Sequence, residues 1–189
     1  MNIHEAIQTR RSITLVNEQA VPEELIEQII EAGTYAPNHH KSEPWRFFVL
    51  RGEGREKLGK VLKDITTAQQ EDPLSENSQA KITKSERNPL RAPVIIAVGV
   101  EPGNKDNIIL KEEFAAVSSA VQNMLLTAHA LGLGAVWRTG AICYHPDVRD
   151  FFGLSENGEM SAFIYIGYPE FEPKPYTRTS FKELTTWMD

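Results

Sequence analysis

Cysteine is nearly absent from this chain: among 189 residues only Cys143 carries a thiol. A single thiol builds neither an intrachain disulfide framework nor a multi-thiolate zinc site, and it suits a reducing compartment. Long apolar runs are missing as well. No stretch approaches the roughly 20 consecutive apolar residues of a membrane span. The first residues carry acid at Glu5 instead of the unbroken apolar core of a secretory signal. These features lead us to expect a cytoplasmic protein without a membrane partner. Positive charge is also in deficit, with 20 Lys and Arg against 26 Asp and Glu and a net charge of −6. Nonspecific binding to nucleic acid depends on a long-range positive potential, so no nucleic-acid partner is expected and any anion site must be local.

What is present describes a folded chain. Residues are 41% hydrophobic and 24% charged, outside the regime in which too little apolar surface is available to offset the entropy of ordering. The length fits one domain over residues 1–189. Apolar residues recurring at helical spacing predict a short helix from Asn2 to about Arg10. A second helix is predicted with Pro22 at its first position, Glu23 and Glu24 at the positive end of its dipole, and Gly33 ending it. Trp45 to Leu50 reads as a strand, and Leu58, Val61, Leu62 and Ile65 predict a helix beginning near Glu53. Residues 66–90 are polar and receive no assignment.

The β-branched run "APVIIAVGVEP" predicts a strand buried on both faces at the centre of the sheet. From Lys111 to Leu131 the pattern is helical with little polar face, so this helix is expected to be enclosed by protein. Gly132 is expected to cap it. "AVWR" resumes an extended segment, a short helix is predicted from near Pro146 to near Gly153, and "MSAFIYIGYP" supplies another strand. The last twenty residues hold Phe171, Tyr176, Phe181 and Trp187, rings that need another surface to cover them.

Candidate chemistry is sparse. Arg10 and Arg11 are followed by Ser12, and "WRTG" at Trp137 to Gly140 repeats an arginine with a hydroxyl where a strand ends. Two readings stand for the first pair. In one the arginines simply favour the negative end of a helix dipole; in the other they form an anion site in which planar guanidinium forks match phosphate oxygens. "GLG" at Gly132 to Gly134 follows a helix, the reverse of the order a dinucleotide fingerprint needs. His39 and His40 are adjacent, so in extended backbone they point apart. A metal site joining one of them to Cys143 and His145 requires those two to share a face of an extended segment, and no further ligand sits at recognisable spacing; no metal is expected. No GxSxG, HExxH or P-loop is present. Any reaction is therefore expected to be carried by a cofactor and not by a protein nucleophile or acid, so no catalytic side chain is nominated.

Taken together, "RRS" at 10–12, "EAGTYAPNHHKSEPWRFFVLRGEGREKL" at 31–58, "RAPVIIAV" at 91–98, "LTAHALGLGAVWRTG" at 126–140, "HPDVRDFFGL" at 145–154 and "FIYIGYP" at 163–169 resemble the FMN-dependent nitroreductase family. The similarity is greatest to its small NAD(P)H nitroreductase branch. The resemblance implies an α+β fold, a mainly antiparallel sheet flanked by helices, in an intertwined homodimer. The helix at 111–131 would form much of the interface, and residues 170–189 would be a C-terminal extension contacting the partner subunit. It implies FMN as cofactor and NAD(P)H as co-substrate. FMN contacts would come from Arg10, Arg11 and Ser12, from Trp137, Arg138 and Thr139, from His39 reaching across to the other subunit, and from Tyr35, where close relatives use an arginine. Thr127, Ala128, His129, Ala130, Leu131 and Gly132 correspond to a nicotinamide-cofactor segment. Thr14 and Leu15 stand where many relatives place a basic residue, which leaves Arg11 or a backbone donor to stabilise charge on the reduced flavin. The implied activity is a ping-pong transfer of hydride from NAD(P)H to small-molecule acceptors such as nitroaromatics or quinones. The alternatives are a flavin-binding or interaction dimer with little catalysis, and an FMN-dependent dehydrogenase of a specific metabolite.

Overall fold

The computed structural model describes residues 1–104, 107–173 and 176–188. Lys105, Asp106, Lys174, Pro175 and Asp189 lie outside the described residues, three of them in the expected extension at 170–189. The β-branched runs pair into one antiparallel sheet of four strands: β1 (Trp45–Leu50), β2 (Val94–Val100), β3 (Gly134–Arg138) and β4 (Glu159–Gly167), in the order β1-β2-β4-β3. The two internal strands are the most apolar. Every residue of β2 is buried, as its continuous run predicts, and so is β4 after its first residue.

Side-chain alternation sends the two faces of the sheet to different helices. Val94, Ile96 and Val98 of β2, with Ala162, Ile164 and Ile166 of β4, pack against α2 (Glu23–Thr34) and α5 (Leu110–Ala130). Ile95, Ala97, Phe163 and Tyr165 face the other way, onto α3 (Glu53–Ala68) and α6 (Pro146–Phe151). An antiparallel sheet often leaves one face wet; here helices cover both, which is why β2 has no polar side chain and β4 carries only Ser161 and Tyr165 among its buried residues. A short α1 (Ile3–Thr9) begins at Asn2 with a capping box closed by Glu5, and contacts α5.

Several expected boundaries shift. The first helix ends at Thr9, one residue short of Arg10. Pro22 is the N-cap of α2 and not its first residue, and the helix runs through Gly33 to Thr34. Gly33 stays helical because α5 crosses there: a Cβ on it would meet Met124 at 3.1 Å. The unassigned stretch contains the end of α3 and a further helix, α4 (Glu76–Arg87). Its inward side is made of Ser78, Ile82 and Ser85, and the Ser85 hydroxyl bonds both Leu62 O, at 3.1 Å, and Thr66 Oγ1, at 2.7 Å. α5 starts at Leu110 and ends at Ala130, and α6 stops at Phe151, before Gly153. Gly132 does cap α5: its φ is +79°, its N–H donates to His129 O and the Leu133 N–H donates to Ala128 O, the paired bonds of a Schellman cap. Among the described residues no helix is long and apolar enough to cross a membrane.

The chain after α1 reaches its place through a second close approach. Ile13 to Val16 cross the adjoining ends of β3 and β4, where Gly134 and Gly167 lie opposite each other in the ladder. A Cβ on Gly134 would sit 2.8 Å from Ile13 Cγ2, and one on Gly167 would sit 2.8 Å from Val16 Cγ2. Gly134→Ala is therefore expected to displace this crossing and cost about 1–3 kcal/mol of stability, as overpacking does. Urea denaturation of the variant checks this, and an unchanged midpoint would show that the crossing yields freely.

Candidate functional site

Crossing those glycines fixes residues 10–12. Ser12 bridges Ala135 of β3, and the Ile13 N–H donates to Ala135 O at 3.0 Å. The start of the tail is tied to the same segment: Asn17 N–H donates to Tyr168 O at 2.9 Å, Val16 bridges Pro169, and Glu170 N–H donates to Leu15 O at 3.3 Å. The tail is thereby led back over the end of α1. Between them lies a cleft of about 780 Å³, walled by Arg10, Arg11 and Ser12 on one side and by Phe171, Tyr176 and Arg178 among others on the other. That size lies within the roughly 300–1,000 Å³ common for small-molecule sites.

The electrostatics of the cleft are those of an anion site. Burial, followed by the like charges of Arg178 and Arg11, pushes the Arg10 guanidinium below its ordinary value. Among the described residues none of these three arginines makes an ion pair; Glu172 lines the cleft without reaching them. Arg11 serves both of the readings open for it. Its Nη1 donates to Gln8 O and Arg10 O, each at 2.8 Å, which satisfies carbonyls at the end of α1. Its Nε is nevertheless buried with no partner. Three convergent cations, one with an unsatisfied donor, fit a phosphomonoester.

Arg178 was not singled out in the sequence, although "TRTS" carries the same arginine-plus-hydroxyl signature as "RRS" and "WRTG". Its guanidinium lies over the Tyr176 ring at 4.9 Å from the centroid. The stacking limits its freedom and holds the charge at the cleft.

The other expected residues occupy separate places in the single chain. Trp137 and Arg138 end β3, and Thr139 is exposed just beyond. Arg138 lies 5.3 Å from the centroid of the Tyr165 ring, on the α3 side of the sheet, and is not part of the wall of the arginine cleft. Arg138 Nε and Trp137 Nε1 are both buried donors without partners. Tyr35, the residue after α2, is highly exposed at 78%. His39 lines a different cavity, with Asn38, Glu112, Ala115 and Ser119. Of the segment Thr127 to Gly132, Ala128 is fully buried against the sheet, Leu131 packs partly on the core, and Ala130 and Gly132 are exposed. The remaining candidate sites do not assemble. Cys143 lies in a turn and is buried, which pushes its thiol up to about 12, and His145 is the N-cap of α6, its Nδ1 accepting from Asp147 N–H. The extended segment that would have put both on one face is absent. No group of three or more His, Cys, Asp or Glu among the described residues is placed to hold a metal ion.

His129 links the nicotinamide segment to the arginines. Its Nε2 lies 2.8 Å from Thr9 Oγ1, and that hydroxyl donates its one proton to Glu5 O, so Nε2 carries hydrogen and donates to Thr9. Partial burial, then Arg10 and Arg11, hold the imidazole below its ordinary value, while Glu5 acts in the opposite direction. A lowered histidine costs stability in acid: below the ordinary value of 6.5 the unfolded chain takes up this proton before the folded one does. Denaturation midpoints measured above and below pH 6.5 should fall less for His129→Gln than for the parent protein. Identical slopes would place His129 outside the arginine field.

Known proteins share the sequence pattern and the fold of this chain. A family model described as the nitroreductase family matches residues 7–168. The Escherichia coli (strain K12) protein named "Putative NAD(P)H nitroreductase YdjA" is 35% identical over 170 residues, covering 90% of each chain. A Bacillus subtilis (strain 168) relative with the same name apart from its last word, YfhC, is 32% identical over 188 residues, covering 98% of this chain and 94% of its own. Among solved structures, a nitroreductase-like family protein from Bacillus cereus superposes with a TM-score of 0.83 at 28% identity, covering 100% of this chain and 97% of the other. A Desulfovibrio desulfuricans structure in complex with FMN gives 0.71 at 29% identity, covering 100% and 98%. In sequence and in fold, the chain belongs to the nitroreductase family.

Proposed function

We propose that this protein is an FMN-dependent oxidoreductase that takes hydride from NAD(P)H and delivers it to nitroaromatic or quinone-type acceptors in a ping-pong cycle. The observation that carries the reading is the cleft of Arg10, Arg11 and Arg178, three guanidinium groups without a carboxylate partner among the described residues, in a chain whose net charge is −6. Partial burial and mutual repulsion both disfavour the charged forms in such a cluster, and a bound anion offsets that cost. The FMN phosphate suits it in charge and in donor geometry, with Ser12 as an additional donor. Family membership, and the FMN carried by the Desulfovibrio desulfuricans structure, support this choice over other phosphate esters.

Bound flavin supplies the redox chemistry, accepting hydride and passing it to the oxidant. The chain's own residues bind and orient. Arg10, Arg11, Ser12 and Arg178 hold the phosphate end. Trp137, Arg138 and Thr139 offer two buried donors without partners and an exposed hydroxyl for the rest of the cofactor. Tyr35 and His39 are separated from the arginine cleft within one chain, and in our reading they act on the flavin of a second copy. Two copies also cover the tail: Phe181, Leu184 and Trp187 are exposed at 67%, 76% and 83%, more ring and branched surface than a lone chain shields. We therefore take residues 1–189 as one domain whose segment 170–189 contacts the partner through Phe181 to Trp187, while Phe171, Tyr176 and Arg178 stay at the cleft of their own chain. Thr127 to Gly132 is our candidate segment for the nicotinamide cofactor, and of it His129 is tied to the arginines, bonding Thr9 and lining a cavity with Arg11.

The purified protein should be yellow and dimeric. Its flavin absorbance should bleach with NADPH or NADH under anaerobic conditions and return when a quinone or nitroaromatic is added, with parallel double-reciprocal plots in the steady state. A colourless monomer that takes up no FMN would overturn the proposal, and bound FMN that neither nucleotide reduces would favour a binding protein. Replacing Arg10, Arg138 or Arg178 with alanine should each weaken FMN binding by about 10- to 100-fold, the effect of losing one charge-assisted bond of about 1.5–3 kcal/mol. Fluorescence titration of the apoprotein measures this.

A further inference from the structure

The loop that carries His39 has an unusual backbone. His40, Lys41 and Glu43 all have positive φ, at 55°, 53° and 46°, and none is a glycine. In each, the side chain is crowded against its own backbone, so the loop does not hold this shape by local preference. External contacts must impose it.

Two adjacent carboxylates at the start of α5 supply those contacts. Glu112 pairs with His39 Nδ1 at the surface. Glu113, the next residue, is 1% exposed. Its Oε1 accepts from the Ser42 hydroxyl at 2.7 Å, and its Oε2 accepts from the Gly103 N–H at 3.2 Å. Ser42 Oγ also lies 3.0 Å from His39 O, and the Ser42 N–H donates to that same carbonyl at 3.2 Å. The loop is closed from inside by Glu43 N–H donating to Asn38 Oδ1 at 3.1 Å. No cation pairs with Glu113 among the described residues. A carboxylate is retained in this buried place because it joins α5, the His39 loop and the end of β2 through two hydrogen bonds.

We propose that Glu113 is a positioning residue for cofactor binding: acting through Ser42, it locks the left-handed loop so that His39 is held ready for the flavin. The inference rests on our reading of His39 as a flavin contact. It assigns no chemistry to Glu113, which touches neither His39 nor the arginine cleft.

The replacements have different expected effects. Glu113→Ala removes both acceptors, and Ser42→Ala leaves a buried oxygen of Glu113 without its donor. Glu113→Gln can keep its oxygen on the Gly103 N–H and turn its amide to Ser42 Oγ, which then donates to His39 O, so the loop stays closed. FMN affinity of each variant, visible circular dichroism of the bound flavin and melting temperature would be measured together. Ile82→Ala serves as a control that loosens the distant α4 without touching this loop. Glu113→Ala and Ser42→Ala should bind FMN about tenfold more weakly and alter the dichroism, whereas Glu113→Gln should stay within about twofold of the parent. Should Glu113→Ala fail to fold, Ser42→Ala decides the matter. Parental affinity in Ser42→Ala overturns the proposal, as does an Ile82→Ala variant that loses FMN in the same proportion to its stability. His39→Ala separates the two levels. If it weakens FMN binding and the clasp variants do not, the clasp is wrong; if it binds FMN normally, the flavin contact falls and the clasp's role in binding falls with it.

Discussion

The passage of Ile13 to Val16 across Gly134 and Gly167 is the contact on which the site depends. Two strands end side by side without side chains, and the space lets a neighbouring segment lie directly on their backbones. Ile13 is buried by this approach and takes hydrogen-bonded register from Ala135. On one side of that anchor the chain presents Arg10 to Ser12; on the other, Leu15 to Asn17 receive the chain emerging from β4. A single packing event thus places both walls of the arginine cleft. The energy that tolerates three like charges comes from elsewhere: from a sheet whose two central strands are buried on both faces, where each fully buried branched side chain contributes about 1.5–3 kcal/mol. Electrostatic strain at the rim is therefore a small charge against a large apolar interior.

Local and global electrostatics are separated in this protein. The chain as a whole is acidic, whereas Arg10, Arg11 and Arg178 gather at one end of α1 under the tail that folds over it. At the end of α5 the His129 proton is disfavoured first by partial burial and then by the same arginines that would attract a phosphate. Confinement has a consequence for selectivity. On the proposed reading a small dianion would satisfy the donors of the cleft, whereas an extended nucleic acid would have to bring many further phosphates against a chain of net charge −6.

What was legible in the sequence follows from where apolar pattern decided the structure. The run at Val94 to Val100 could be read directly, because pairing at the centre of a sheet leaves little choice of residue, and Trp45 to Leu50, at the sheet's edge, was marked by its aromatic and β-branched residues. α4 could not, because its contact with α3 is made by Ser78, Ser85 and Thr66 through hydrogen bonds to backbone and to each other, and small hydroxyls give no helical stripe. Gly33 misled for a related reason. Alone it reads as a helix stop, and only the crossing of Met124 explains why it is helical. At the site, the arginine-and-hydroxyl pattern found Arg10 to Ser12 but passed over Arg178, since a tail without helical or strand period gave no indication that it would return to α1. The positive φ angles of the His39 loop were also invisible, because His40, Lys41 and Glu43 are not residues that announce a left-handed turn.

The separation of the expected flavin contacts within one chain is itself an argument about assembly. Arg10 to Ser12 and Arg178 line one cleft, His39 lines another with Ala115 and Ser119 of α5, and Tyr35 projects from the end of α2 into solvent. No hinge of the sheet could bring these together, since α2 and α5 are packed on the same core that fixes β3. A ligand touching all of them needs a second copy that apposes its own α5 face to the first, and the small residues Ala115, Ala116 and Ser119 leave room for that approach. The tail supports the same geometry from the other direction: Phe171 and Tyr176 line the cleft of their own chain, but Phe181 and Trp187 stay largely exposed, and a partner lying along α5 is the apolar surface the proposal provides for them. The clasp of Glu113 would then act at this seam, holding His39 in shape before the partner arrives, so that association does not also have to bear the cost of ordering the loop.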